Sequence, residues 1–179
     1  MSAIILKNKI KKYQKRKQLI NDNENKKLEK PFLSKARKNY LVANILSKIS
    51  EQEEVKKNLF LLPDFETYDW VIVVSYYSMY MAALAAIAKL GFKSKSHAAT
   101  IAALEYYYVH QNKKLDKKQI EKLSKAYVLS ETFISKLMQS KTRRETAQYE
   151  ATPSITQATA TTALEDAETF ITRIEELLT

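Results

Sequence analysis

Cysteine is absent from this 179-residue chain, glycine occurs once and proline three times. Without cysteine there are no disulfides and no thiolate metal ligands, and two histidines alone cannot furnish a zinc site, so neither a metal nor a cofactor is expected. One glycine and three prolines leave few places for tight turns or bulges, while Ala, Leu, Lys and Glu are plentiful. The expected fold class is therefore all-α, with long helices and short connections. The N-terminal stretch also lacks an apolar run followed by a small-residue cleavage site, so no secretory signal is expected and a cytoplasmic location is. A length of 179 residues suits one domain with a sizeable core.

Acid is missing from one region and base from another. The net charge is +10, and residues 1–57 carry all of the excess, with 16 Lys/Arg against 6 Asp/Glu. Residues 1–17 hold seven cations and no acid, whereas residues 150–179 hold six acids and only Arg173. Such a molecule has a strong charge asymmetry. Lys9, Lys11, Lys12, Lys15 and Arg16 are candidate contacts to the phosphates of RNA or of a nucleotide; a solvated arm and an anionic membrane surface are the competing readings of this segment.

Residues 70–88 contain no charge at all. A helix apolar on every side must be surrounded by other helices. The run reaches the lower edge of a membrane-span length, yet tyrosines and serines in its middle weaken its transfer into lipid, so no membrane span is expected. It is read instead as the central helix of a bundle, with Thr67 as a candidate N-cap and Gly91 as the C-terminal stop.

Around it, periodicity gives an up-and-down helical bundle of about five helices with an extra basic N-terminal helix. Residues 4–20 place Leu6, Ile10, Tyr13 and Ile20 on one stripe, and residues 21–25 form a polar linker; residues 1–30 are thus read as a basic amphipathic extension and 31–179 as the bundle domain. After Pro31, a good first-turn residue, Phe32, Ala36, Tyr40, Ala43, Leu46 and Ile49 recur every three or four positions. Ser94 or Ser96 can cap a helix on which His97, Ile101, Leu104 and Tyr108 share a face. Asp116 with Gln119 resembles a capping box before a helix carrying Ile120, Leu123, Tyr127, Ile134 and Leu137. Ser154 and Gln157 open a last helix with Leu164, Ala167, Phe170, Ile171, Ile174 and Leu177. Three consecutive tyrosines, 106–108, splay over roughly 200° of a helix and cannot all form one base-stacking platform.

An ordered set of motifs runs through residues 32–178: Lys35-Ala-Arg37 with Tyr40, then Ser75-Tyr-Tyr-Ser-Met-Tyr-Met-Ala-Ala83, Leu90-Gly91, Lys95-Ser-His97, and Arg144-x-x-Ala147-x-Tyr149. This set resembles the HEPN superfamily, in particular its small archaeal and bacterial members. The resemblance implies a helical bundle, a homodimer, and a nucleotidyltransferase-like partner protein in toxin–antitoxin or stress systems. Active members are metal-independent ribonucleases whose arginine is followed after four to six residues by a histidine, one group holding phosphate and the other moving a proton. Here neither His97 nor His110 has an arginine at that spacing, and the nearest counterpart, Arg143 or Arg144 followed by Tyr149, lacks the histidine. The favoured reading is therefore a non-catalytic module that binds RNA, a nucleotide or a protein partner through the basic segment and Lys95, His97, Arg144 and Tyr149. One alternative is a metal-independent endoribonuclease that assembles His97 with Arg143 or Arg144 from separate helices; another is a structural helical subunit.

Overall fold

A computed structural model describes residues 3–143 and 156–179. It is an all-α bundle: α1 (Ala3–Lys15), α2 (Glu29–Glu51), α3 (Glu53–Asn58), α4 (Tyr68–Lys89), α5 (His97–Leu104), α6 (Lys117–Arg143) and α7 (Gln157–Leu178). A 3-10 turn (Asn23–Leu28) precedes α2, and a π-helical turn (Glu105–Gln111) extends α5. The short α3, the π turn and a two-stranded antiparallel ladder of β1 (Leu19–Asn21) with β2 (Phe92–Ser94) were not anticipated from periodicity.

The uncharged run is α4, and it lies at the centre as its composition demands. Val71, Ile72, Tyr76, Met79, Ala82, Ala83, Ala86 and Ile87 are buried, and α2, α7, α6 and α5 pack around them. By length and composition α4 could cross a membrane, but 78% of its apolar window is buried inside the protein. Alanines on α4 share one core with Ala36 of α2 and Ala167 of α7, so small side chains fill much of the space between these helices. Within this interior the Ser78 hydroxyl donates to the Ala36 carbonyl at 3.0 Å. On the outer side Arg37 of α2 forks onto the Glu175 carboxylate of α7 and reaches Thr172, clamping those two helices.

The N-terminal segment is not a separate extension. Leu6, Ile10 and Leu19 are buried in the same core as α4, because α1 lies across α5 and the π turn. Nor does its helix run to residue 20. The Gln18 N–H bonds the Tyr13 carbonyl and the Lys17 N–H the Gln14 carbonyl, with Lys17 at φ 54°, a left-handed helix stop usually made by glycine. The chain then turns into β1, where Leu19 pairs with Ser94, Ile20 with Lys93 and Asn21 with Phe92. Residues 21–25, read as a linker, hold this junction: the Asp22 N–H donates to the Gly91 carbonyl at 2.7 Å and the buried Asn25 amide to the Phe92 carbonyl at 2.6 Å.

Thr67 occupies the N-cap position of α4, but its hydroxyl donates to the Leu46 carbonyl of α2 instead of capping its own helix. Ser96 caps α5, Thr156 caps α7, and Ser154 lies outside the described residues. At Asp116 and Gln119 only a main-chain bond forms, at 3.0 Å, and the Gln119 side-chain oxygen is buried without a partner.

Gly91 ends α4 as its sequence position predicts, at φ 79°. A Cβ there would meet Asn23 Oδ1 at 2.6 Å and Lys26 Cε at 3.1 Å, besides carrying left-handed strain. Gly91→Ala is expected to lower stability by about 1–2 kcal/mol, measured by urea unfolding; an unchanged midpoint would show that the turn shifts at no cost.

Candidate functional site

His97 is the first residue of α5, directly after the Ser96 cap, whose hydroxyl accepts from the Ala99 N–H at 3.4 Å. This placement follows from the ladder: β2 ends at Ser94, and the Thr100 hydroxyl lies 2.8 Å from Ser94 Oγ, tying the strand end to the helix start. The imidazole therefore projects toward the middle of α4 and toward α6. Tyr76 and Tyr80, one helical turn apart on α4, meet it from one element, and Tyr127 of α6 from another. His97 is stacked between Tyr80, with ring centroids 4.1 Å apart and planes at 17°, and Tyr127, at 5.1 Å and 14°. Tyr77 presents its edge at 6.4 Å.

The Tyr76 hydroxyl hydrogen-bonds His97 Nδ1. Burial and the neighbouring tyrosines hold the Tyr76 phenol far above its ordinary range, so it keeps its proton. If Tyr76 accepted from Nδ1, its own buried O–H would lack an acceptor; donation to Nδ1 satisfies both groups. The imidazole proton then sits on Nε2, which makes no hydrogen bond among the described residues. Burial lowers the His97 pKa, partly offset by the carboxylate of Glu131 on α6. His97 is thus a neutral hydrogen-bond donor with its lone pair already occupied. That state suits contact with an anionic or carbonyl oxygen better than proton abstraction.

Lys95 stands two residues before His97, and its N–H donates to the Gln18 carbonyl at 2.8 Å, extending the ladder by one pair. The ladder thereby ties the end of the segment carrying Lys15, Arg16 and Lys17 to the strand that leads into His97. Lys9, Lys11, Lys12, Lys15, Arg16, Lys17, Lys93 and Lys95 are all exposed, and none makes an ion pair among the described residues. Elsewhere opposite charges meet, as in Lys122 with Asp166 and Arg37 with Glu175.

The other candidate residues fare unequally. Arg143 closes α6 and its side chain lies outside the described residues, as do Arg144 and Tyr149 altogether. Arg37 is engaged with Glu175, and Arg173 with Glu176 and the Lys114 carbonyl, so neither is available to a phosphate. Tyr108 is a core residue whose hydroxyl donates to the Ala86 carbonyl at 2.8 Å, and Tyr107 stacks on Phe92, so the tyrosine triplet is packing. His110 lies 3.8 Å from the buried Glu105 across the π turn. Tyr127, read in the sequence only as a core residue of its helix, and Glu131 were missed as site residues, although their spacing of four puts them on one face of α6 and offered a weak signal.

A family model described as the HEPN domain matches residues 57–177. The chain belongs to the HEPN family. The match spans α4, the His97 cluster, α6 and α7 but leaves α1, β1 and α2 outside, although all three pack into the same core. No curated protein matches the chain.

Because burial lowers the His97 pKa from its ordinary 6.5, the folded HEPN domain binds fewer protons than the unfolded chain between those two values. Its contribution to stability is whole above pH 6.5 and is lost as pH falls through the lowered value. Melting temperature followed from pH 7.5 to about 5 should fall more steeply for the wild-type protein than for His97→Asn, which does not titrate in that window. Parallel curves would refute the lowered pKa.

Proposed function

We propose that this HEPN domain binds the phosphates of RNA or of a nucleotide at the basic rim around His97 and does not cleave them. The observation that carries the reading is the β1–β2 ladder, which pairs Gln18, the residue after the acid-free segment, with Lys95, two positions before His97. Like charges three or four residues apart on α1, such as Lys11 with Lys15, destabilise an isolated helix by about 0.2–0.5 kcal/mol each. No carboxylate among the described residues relieves them, so a bound polyanion is the natural counter-charge. Nδ1 of His97 is occupied by Tyr76, which supports binding over catalysis. Under this reading the domain is the binding half of a pair, with chemistry supplied by a nucleotidyltransferase-like protein of a toxin–antitoxin or stress system, as the family resemblance suggests.

The test is anisotropy of a labelled single-stranded RNA against salt. Lys9, Lys12 and Arg16 share one exposed flank of α1, so replacing all three with glutamine leaves the core untouched. The variant is expected to bind about tenfold more weakly at 0.1 M salt, and its log–log salt slope to shrink by about 0.7 for each phosphate no longer neutralised. Equal affinity and slope would reject this surface. Cleavage of the RNA by the wild-type protein, abolished in His97→Ala, would establish the endoribonuclease reading in its place.

A further inference from the structure

The second helix turns large aliphatic side chains away from the core. On α2 the fully buried residues are Ala36, Ala43, Ser47 and Ser50, with Phe32, Leu33, Tyr40 and Leu46 partly buried beside them. Leu41, Val42 and Ile45, by contrast, are 59%, 47% and 57% exposed. At 100° per residue these three fall within one arc of about 100°, opposite the buried face. Among the described residues no other helix exposes three large apolar side chains; α1 exposes two, and α4 and α6 one each. Packing within this chain does not account for such a stripe, which points to a role in contact with something outside.

The stripe is closed by a cation at each end. Residues 30–50 contain five Lys/Arg and no acid. Arg37 is engaged with Glu175, but Lys35, Lys38 and Lys48 are exposed, and none of the three makes an ion pair among the described residues. Lys38 precedes Leu41 by three residues and Lys48 follows Ile45 by three, so both lie on the arc of the stripe. Positions 38, 41, 45 and 48 thus step by three and four residues, the spacing of a seam that pairs with another helix. At 1.5 Å per residue its two terminal lysines stand about 15 Å apart along the axis.

These charges select the occupant. A second α2 laid on the stripe about a two-fold axis sets Lys38 against Lys48 when antiparallel and each lysine against its own copy when parallel, so like charges meet either way. RNA would neutralise the lysines but leave the aliphatic side chains in water. No described helix of this chain exposes large apolar side chains beside acids at the matching spacing. The surface that satisfies both features is a helix with an apolar centre and Asp or Glu at each end. We propose that α2 docks an acidic amphipathic helix of a different protein along Leu41, Val42 and Ile45, with carboxylates on Lys38 and Lys48. Three aliphatic anchors suit a transient partner. The surface lies outside residues 57–177, which the HEPN model matches, and uses none of the residues assigned to the His97 rim.

The probe is a fluorescent peptide of about five helical turns, stapled to hold it helical, with Leu and Ile at three- and four-residue spacing in its middle and Glu in its first and last turns. A control peptide carries Lys in place of each Glu. Titrated with the full chain at about 0.1 M salt, anisotropy should show saturable binding of the Glu peptide and at least about tenfold weaker binding of the control. Leu41→Ser with Ile45→Ser should weaken the Glu peptide at least about tenfold. Lys38→Glu with Lys48→Glu should exchange the preference, so that the Lys peptide binds about tenfold the better. All four side chains are exposed, so both double variants should melt within about 2 °C of the wild type, and the serine variant should keep its affinity for RNA. No binding, equal binding of the two peptides by the wild type, or binding indifferent to Leu41→Ser with Ile45→Ser would overturn the proposal. So would a wild-type dimer in sedimentation that this variant dissociates, which assigns the stripe to a second copy, or binding to phosphatidylglycerol vesicles that the variant loses, which assigns it to a lipid surface.

Discussion

A helix that is apolar around its whole circumference has one stable location in a water-soluble fold, and the need to cover α4 on every side organises the remaining elements. Each neighbour contributes a stripe: α2, α7, α6 and α5 pack directly on it, and α1 lies on α5 and the π turn. Tyrosine on α4 is part of the same solution. Tyr76 and Tyr80 bury rings against the bundle while their hydroxyls reach His97 and Thr100, so the helix supplies core and site together.

Sequence reading located the helices well where periodicity and glycine agreed, and poorly where left-handed residues replaced glycine. Gly91 marks the end of α4 in both sequence and structure. Lys17 and Phe60 do the same work for α1 and α3, and Lys113 follows the π turn at φ 50°, yet no residue-type signal announces any of the three. A chain with one glycine ends some of its helices on residues that tolerate the conformation only at a cost, and those ends are invisible to rules built on glycine. The three-residue ladder was missed for a related reason. Strands this short, each half-buried and set beside a helix end, have no period to detect.

The site was legible in part. His97 stood out as a helix-start histidine, and the α4 tyrosines as a cluster, but which ring would meet which depended on the crossing of α4, α5 and α6. Tyr127 and Glu131 join His97 only through that crossing. The continuity of the basic segment with Lys95 was equally hidden, because it rests on main-chain pairing between segments about seventy residues apart. The family, by contrast, was readable from ordered motifs, of which Ser75–Ala83 lies on the core helix α4 itself.

That pairing also sets an order of events during folding. The ladder and the seat of α1 are made from residues 92–111, so Leu6 and Ile10 have no place to dock until α4 has formed and the chain beyond it has turned back. Closing so long a segment costs loop entropy that local helix formation does not. The first helix made thus waits for residues 92–111 before it can dock, and its apolar stripe stays open to solvent until then.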